Sequence, residues 1–241
     1  MPMKTYVMVP TYNERENIAT LIDGILSLGI RDLHIVVVDD DSPDGTSRIV
    51  KGISKSRKNV HLLLRTKNRG RGNAGRDGYL YCLAKGADVI IEMDADLSHD
   101  PKYIPVMLEE IKKYDMVLGS RMVKGGQDVG RGPLRRLITK GANFYITLML
   151  GIPVKDCNSG YRCFRREILE KIDPNSLRSS GPAIVQEVLF RAHLRKARVK
   201  EIPIVFVDRA KGKSKLGVRE LGAGYTAILK LKWEHLTGKL R

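Results

Sequence analysis

The segment Ile35-Val36-Val37-Val38, with His34 before it, constrains this chain most. It is a short apolar run rich in β-branched residues, and it stops abruptly at Asp39-Asp40-Asp41-Ser42-Pro43-Asp44-Gly45. A run without polar alternation is buried on both faces, which is the condition of a strand inside a parallel sheet. The rest of the first half repeats the theme. Thr5 to Val9 reads as a strand, with a helix from about Glu14 to Leu28. Thr46 to Ile53 fits a helix, Val60 to Leu64 a strand, Ala74 to Lys85 a helix and Asp88 to Met93 a strand. This alternation predicts one α/β domain, with a Rossmann-like, mostly parallel central sheet flanked by helices. The second half is less regular. Asp115 to Leu118 and Pro203 to Val207 resemble strands, and Pro133 to Leu150 and Val185 to Leu194 resemble helices.

Parallel sheets bind ligands beyond the carboxyl ends of their strands. Three polar clusters fall at such ends: Pro10-Thr11-Tyr12-Asn13-Glu14, Asp39-Asp40-Asp41-Ser42 and Asp94-Ala95-Asp96. Residues two apart in extended chain point the same way, so Asp94 and Asp96 converge across small Ala95. Convergent carboxylates repel unless a cation lies between them. Mg²⁺ and Mn²⁺ favour oxygen ligands and bridge carboxylate to substrate phosphate. An Asp-x-Asp alone equally suits a helix cap, and Ser98-His99-Asp100-Pro101 is helix-start chemistry. The shared sheet edge favours the metal. Asp39 can accept hydrogen bonds from a ribose or base, while Ser42-Pro43-Asp44-Gly45 is also a turn signal.

The charge narrows the partner. The formal net charge is +16, with five basic residues and no acid from Arg65 to Arg76, and nine basic residues from Arg209 to Arg241 against Glu220 and Glu234. Such clustering implies anion contact. A basic nucleic-acid-binding module is the non-enzyme alternative. It is disfavoured by an aromatic content of 6% and a single tryptophan, Trp233. Cys82, Cys157 and Cys163 are odd in number and lack metal-ligand spacing, so reduced thiols in a cytoplasmic protein are expected. No signal peptide is expected, and no apolar run reaches the roughly eighteen residues of a membrane span.

Longer strings carry a resemblance. They are Tyr12-Asn13-Glu14-Arg15-Glu16-Asn17, Asp41-Ser42-Pro43-Asp44-Gly45-Thr46, Asp94-Ala95-Asp96-Leu97-Ser98-His99, Gly119-Ser120-Arg121, Ser159-Gly160-Tyr161-Arg162, and Val207-Asp208-Arg209 leading to Ser214-Lys215-Leu216. Their set and order resemble family-2 glycosyltransferases of GT-A fold, and within them the dolichyl-phosphate mannose synthases that lack C-terminal membrane spans. The resemblance implies a GT-A domain over residues 1–216 and a basic amphipathic helical tail over 217–241. It implies transfer of mannose from GDP-mannose to a dolichyl or polyprenyl phosphate. Pro10, Tyr12, Glu14, Val38, Asp39 and Asp40 would bind the donor, with Asp94, Ala95, Asp96, Arg209 and Lys215 near its diphosphate. Asp94, Asp96 and Ser98 would meet Mg²⁺ or Mn²⁺, Ser98 standing where many relatives have Gln. Arg121, Arg135 and Thr139 would hold the lipid phosphate, and Asp96, Arg121 and Arg209 would act in catalysis. Peripheral attachment to the cytoplasmic face of a membrane follows, directly or through a small membrane-embedded subunit. A related transferase using UDP-glucose or another nucleotide-sugar is the nearest alternative.

Residue chemistry agrees with a phosphate acceptor. Arginine suits forked recognition of phosphate oxygens, and Arg135 and Thr139, four apart, share a helical face. A phosphate monoester is largely dianionic at pH 7 and needs no general base. A hydroxyl acceptor would need one, with Glu187 or Asp156 as candidates. Single displacement would invert the anomeric centre. Arg69 and Arg71, added charges in a glycine-rich segment, either touch the donor diphosphate or sit on the surface, and the surface is the favoured expectation. In the tail, Ile228, Leu229, Leu231, Trp233 and Leu236 suit equally one apolar side of an interfacial helix or a terminal helix packed on the domain.

Overall fold

The structure, a computed structural model, describes residues 3–208 and 218–240. The first half runs β1 (Thr5–Thr11), α1 (Ile18–Leu26), β2 (Leu33–Asp39), α2 (Thr46–Ser56), β3 (Val60–Leu64), α3 (Arg71–Ala84) and β4 (Val89–Glu92). Then come α4 (Ile104–Glu110), β5 (Met116–Ser120), β6 (Gln127–Val129), α5 (Pro133–Leu150), β7 (Arg162–Arg165) and α6 (Arg166–Ile172). The chain continues with α7 (Ile184–Leu194), β8 (Val199–Pro203), β9 (Val205–Val207) and α8 (Val218–Leu236).

Seven strands form one sheet in the order β3-β2-β1-β4-β7-β5-β8, and β6 pairs with β9 in a small second sheet. The large sheet is parallel except for β7, which runs antiparallel between β4 and β5. The expected mostly parallel sheet is therefore present, with one inverted strand. Successive residues of β2 enter opposite cores: Val36 and Val38 pack with Met8, Tyr79 and Phe164, whereas Ile35 and Val37 pack with Val7, Val9 and Ile91. Burial on both faces is what the unbroken apolar run requires.

Three elements depart from expectation, each for a local reason. Helix α1 begins at Ile18, not near Glu14, because the backbone N–H groups of Asn13, Glu14 and Arg15 donate to the side chains of Ser42, Thr46 and Asp44. Asn13 takes a left-handed φ of 62° to reach them, a conformation asparagine tolerates. The strand expected at Pro203 to Val207 is two strands in two sheets. Ile204 is the crossing point, donating to the Ser120 carbonyl and accepting from Gln127. Strand β7 was not expected, since Arg162-Cys163-Phe164-Arg165 carries no strand-like alternation. Arg162 is 0% exposed, and its guanidinium is satisfied by the carbonyls of Ser159, Val185 and Cys157.

The tail helix α8 packs on α5. Its apolar residues do not form one side. Ile228 and Leu231 are buried in the core, whereas Leu229, Trp233 and Leu236 face outward. The ring of Tyr145 on α5 meets that of Tyr225 edge-on at 4.7 Å. Among the described residues no helix is long and apolar enough to cross a membrane. All three cysteines are buried and free, as expected.

The start of α3 is pressed against residues 179–181. A Cβ on Gly72 would lie 2.0 Å from the Ser179 carbonyl oxygen, and the Gly72 N–H donates to the Ser180 carbonyl at 2.8 Å. Backbone cannot move aside as a side chain can. Gly72→Ala is expected to cost about 2–3 kcal/mol of stability, the scale of a forced overpacking, read as a lowered urea midpoint with an unchanged slope.

Candidate active site

Strands β1, β2, β4 and β5 end at one edge of the sheet, and antiparallel β7 begins there. Thr11 pairs with Asp39, Met8 with Glu92, and both Glu92 and Leu118 with Arg162. The three polar clusters are thus brought to a common edge, and Arg121, which follows β5, joins them.

The β1 and β2 loops are stapled together. Asp39 is 0% exposed and accepts from Thr11 Oγ1 at 2.7 Å, Ser42 N at 2.9 Å and Ser42 Oγ at 2.7 Å. Asp40 pairs with Arg65 and takes the Gly70 N–H at 2.7 Å. Arg65 also binds Asp77 at 2.8 Å. Both carboxylates therefore shape the site by holding protein groups. Val38 and Ala95 turn buried side chains into the core, leaving only backbone for a ligand. The groups that face outward are Tyr12, 46% exposed, and Asp41, which pairs with Arg69. Glu14 accepts from Asn17 Nδ2 at 2.9 Å.

At the end of β4 the carboxylates differ. Asp96 is buried, and Ser98 donates to its Oδ1 from both backbone N–H and hydroxyl. Asp94 is more open, with 37% side-chain exposure, and its Oδ1 lies 3.5 Å from Arg71 Nη2. The Asp94 N–H donates to His99 Nδ1 at 3.1 Å. Burial keeps the His99 imidazole below its ordinary pKa, against the pull of Asp94 and Asp96, so it accepts as a neutral ring. Its face stacks on Tyr161 at 5.0 Å. A Cβ on Gly160 would stand 3.2 Å from Asp94 Oδ2, so glycine keeps that oxygen accessible. Among the described residues, no group of three or more His, Cys, Asp or Glu side chains could hold a metal alone. Two carboxylates and a hydroxyl suit a hard divalent cation that takes its remaining oxygens from water and a ligand's phosphates. The residues fit such an ion on those terms.

Arg71 is half-buried and ion-paired, where a solvated surface charge was expected. Its Nη2 donates to Glu92 Oε1 at 2.7 Å, and Glu92, 1% exposed, also accepts from the Tyr79 hydroxyl. Sequence reading missed Glu92, since a lone acid in an apolar run has no pattern of its own.

Beyond β5, Arg121 is clamped to Asp156 by Nε at 2.8 Å, Nη2 at 2.7 Å and its own backbone N–H at 3.0 Å. Its guanidinium lies 5.2 Å from the Phe206 ring centre. A cleft of about 670 Å³ opens here, lined by Arg121, Asp128, Arg131, Arg136 and Lys140. Arg131 stacks over Phe206 at 4.5 Å, 3.5 Å from Asp128. Arg135 pairs with Asp208 at 3.3 Å. Thr139 donates its hydroxyl to the Arg135 carbonyl at 2.9 Å, the back-bond of a helical threonine. Arg209, Ser214 and Lys215 lie outside the described residues. Both candidate bases are committed. Asp156 is 0% exposed on Arg121, and fully buried Glu187 accepts from Arg178 N, Ser179 N and Arg191.

Helix α5 presents Leu134, Leu137, Ile138, Phe144 and Leu148 outward, with Phe144 70% exposed. At the helical period of 3.6 residues they fall on one face. Arg136 and Lys140 on the same helix line the cleft.

The family model for glycosyl transferase family 2 matches residues 6–173. The undecaprenyl-phosphate mannosyltransferase of Micrococcus luteus is 35% identical over 99% of both chains. The polyprenol monophosphomannose synthase of Mycolicibacterium smegmatis is 40% identical over 88% of this chain and 81% of its own. The dolichol-phosphate mannosyltransferase of Pyrococcus furiosus is 38% identical over 96% of this chain, which spans only 65% of that protein. Among solved structures, glucosyl-3-phosphoglycerate synthase from Mycobacterium tuberculosis, in complex with UDP, superposes with a TM-score of 0.68 at 19% identity, covering 95% of this chain and 80% of that one. The same enzyme in complex with Mn²⁺, UDP and glucosyl-3-phosphoglycerate also scores 0.68. These structures share the GT-A fold.

The Arg121–Asp156 pair makes the site sensitive to acid. Burial pushes the Asp156 carboxyl up, but the hydrogen bonds and charge of Arg121 outweigh it and hold the group below its ordinary value. A carboxyl lowered in the folded state contributes stability above its unfolded pKa, about 3.9, and loses it as pH falls through the folded value. Asp156→Asn should therefore lower stability at pH 7 by about 3 kcal/mol, through an uncompensated buried guanidinium. Stability of the variant should also fall less steeply below about pH 4. Denaturant melts from pH 7 to pH 2 check both.

Proposed function

The chain belongs to glycosyl transferase family 2, and on that premise we propose that it transfers mannose from GDP-mannose to a polyprenyl or dolichyl phosphate with inversion at the anomeric carbon. The observation that carries this reading is one sheet edge holding an Asp94/Asp96 pair beside an arginine-lined cleft. The first suits a diphosphate and its cation, and the second suits a phosphate nucleophile. The names of the similar mannosyltransferases support the sugar and the lipid class.

In this reading Tyr12 and the loop backbone beside Asp39 and Asp40 receive the guanosine. Asp94 and Asp96 would hold Mg²⁺ or Mn²⁺, with Ser98 orienting Asp96 through its hydroxyl. When bound, the ion supplies Lewis-acid stabilisation of the leaving diphosphate. Arg209 and Lys215 would add positive charge there. The acceptor phosphate enters the cleft, where Arg121 presents a guanidinium fixed by Asp156. Arg135 exchanges Asp208 for phosphate oxygens, and Thr139 closes the same helical face. A phosphate oxygen forms the bond to mannose C1 as the bond to the diphosphate breaks. The commitment of Asp156 and Glu187 to ion pairs supports an acceptor that arrives already ionised.

A lipid acceptor brings a membrane with it. The outward Leu134, Leu137, Phe144 and Leu148 of α5, with Leu229 and Trp233 of α8, form the face we assign to the bilayer surface. Peripheral contact on the cytoplasmic side follows, with or without a membrane-embedded subunit.

Calorimetric titration with GDP-mannose and with UDP-glucose, each with and without Mn²⁺, tests the donor. Binding of GDP-mannose strengthened by Mn²⁺ is expected, and no binding under either condition overturns it. Arg135→Ala should raise KM for the lipid phosphate at least tenfold, about 1.4 kcal/mol, with GDP-mannose affinity unchanged. Equal loss of both removes the acceptor assignment. Leu137→Glu with Phe144→Glu should abolish co-flotation with anionic liposomes while GDP-mannose still binds. Undiminished flotation excludes this face.

A further inference from the structure

Arg71 places a positive charge where the cation is expected. It opens α3 at the sheet edge, and its guanidinium lies between two carboxylates of the same strand end. Nη2 holds Glu92 Oε1 at 2.7 Å and stands 3.5 Å from Asp94 Oδ1. Nη1 is buried and has no hydrogen-bond partner among the described residues. The fork is thus incompletely satisfied. A guanidinium with a spare buried N–H is drawn to any further acceptor, and Glu92 is what holds it back from Asp94. Glu92 has other support: the Tyr79 hydroxyl donates to its second oxygen, and the buried Arg162 guanidinium acts on it from β7.

We propose that Arg71 is a positioning residue of the cation site: a built-in counter-charge, restrained by Glu92, that competes with a divalent ion for Asp94 and sets how tightly that ion is held. The inference rests on the reading of Asp94 and Asp96 as cation ligands. Two neighbouring carboxylates without a counter-charge repel, so Arg71 relieves the site before an ion enters. An arriving ion must then displace part of that interaction, which keeps it exchangeable with each nucleotide.

The two partners of this pair have opposite expected effects, which a merely structural ion pair does not have. Removing the charge of Arg71 takes one competitor away from Asp94 and adds net negative charge. Removing the charge of Glu92 releases Arg71 onto Asp94. Mn²⁺ titrations followed by electron paramagnetic resonance, alone and with GDP, read this without turnover. Arg71→Gln should bind Mn²⁺ about tenfold more tightly and Glu92→Gln about tenfold more weakly, with Arg71→Lys near wild type. Unchanged affinity in both neutralised variants, or a shift of both in the same direction, overturns the inference. If Arg71→Gln does not fold, Glu92→Gln decides alone, since it keeps the shape and its amide nitrogen can donate to the Tyr79 hydroxyl, and an unchanged affinity rejects the idea. No Mn²⁺ binding by the wild-type protein in either condition would remove the cation site and this inference with it. That outcome is distinct from binding that the variants leave untouched, which removes only the role of Arg71.

Discussion

A carboxylate taken out of water must have its oxygens occupied, and the active edge of this protein depends on that condition being met repeatedly. Asp39 is occupied by Thr11 and Ser42, Asp40 by Arg65 and the Gly70 N–H, Glu92 by Arg71 and Tyr79, and Asp156 by Arg121. Each partner comes from a different loop or element, so satisfying the charge also fixes the loops against one another. Arg65, Arg162 and Arg191 are interior residues whose work is to hold carboxylates or carbonyls.

This arrangement separates scaffold from contact. The sealed acids at the ends of β2 and β4 carry the backbone of the site, and more open groups stand on them: Tyr12 above the Asp39 staple, and Asp94 anchored by His99. A rigid support of this kind limits reorganisation when charge moves in a reaction, which is where electrostatic catalysis gains most. The Asp44 and Thr46 side chains show how far the principle reaches. They hold the loop that presents Tyr12.

Much of the fold was legible because periodicity is a local property. The β2 run, the Val60–Leu64 strand and the Pro133–Leu150 helix follow from patterns that need no knowledge of neighbours. The common address of the three polar clusters was legible too, since a parallel sheet sends alternate connections to the same edge. What escaped was decided by partners distant in sequence. Strand β7 exists because β4 and β5 leave a slot between them, and its Arg162 is paired only in three dimensions. Arg71 read as surface charge because its partner Glu92 lies twenty-one residues away in a different element. The start of α1 failed for the same reason: the turn side chains of residues 42–46 claim the first backbone donors. In the sequence the tail stays open between an interfacial helix and one packed on the domain, because the side that α8 turns to the core, with Ile228 and Leu231, depends on its docking against α5, not on its own sequence.

The position of α5 joins the two halves of the proposed chemistry. The helix carries apolar side chains on its outer face, and its Arg136 and Lys140 line the cleft beside Arg121. Consecutive helical residues are turned by about 100° around the axis, so on a helix lying in the surface plane Arg136 flanks the apolar face that Leu137 belongs to. Full burial of a Leu or Phe side chain contributes about 1.5–3 kcal/mol, and the long stems of Arg and Lys let their charges stay at the polar boundary. A helix lying on a bilayer with this face inward would hold the cleft at the level of the headgroups. A lipid phosphate would then reach Arg121 without leaving the membrane, and its chain would remain in the hydrocarbon. Under the proposed function the protein reads the phosphate and leaves the chain to the bilayer, so the tight, directional contacts are needed only at the headgroup, where Asp156 already fixes the guanidinium.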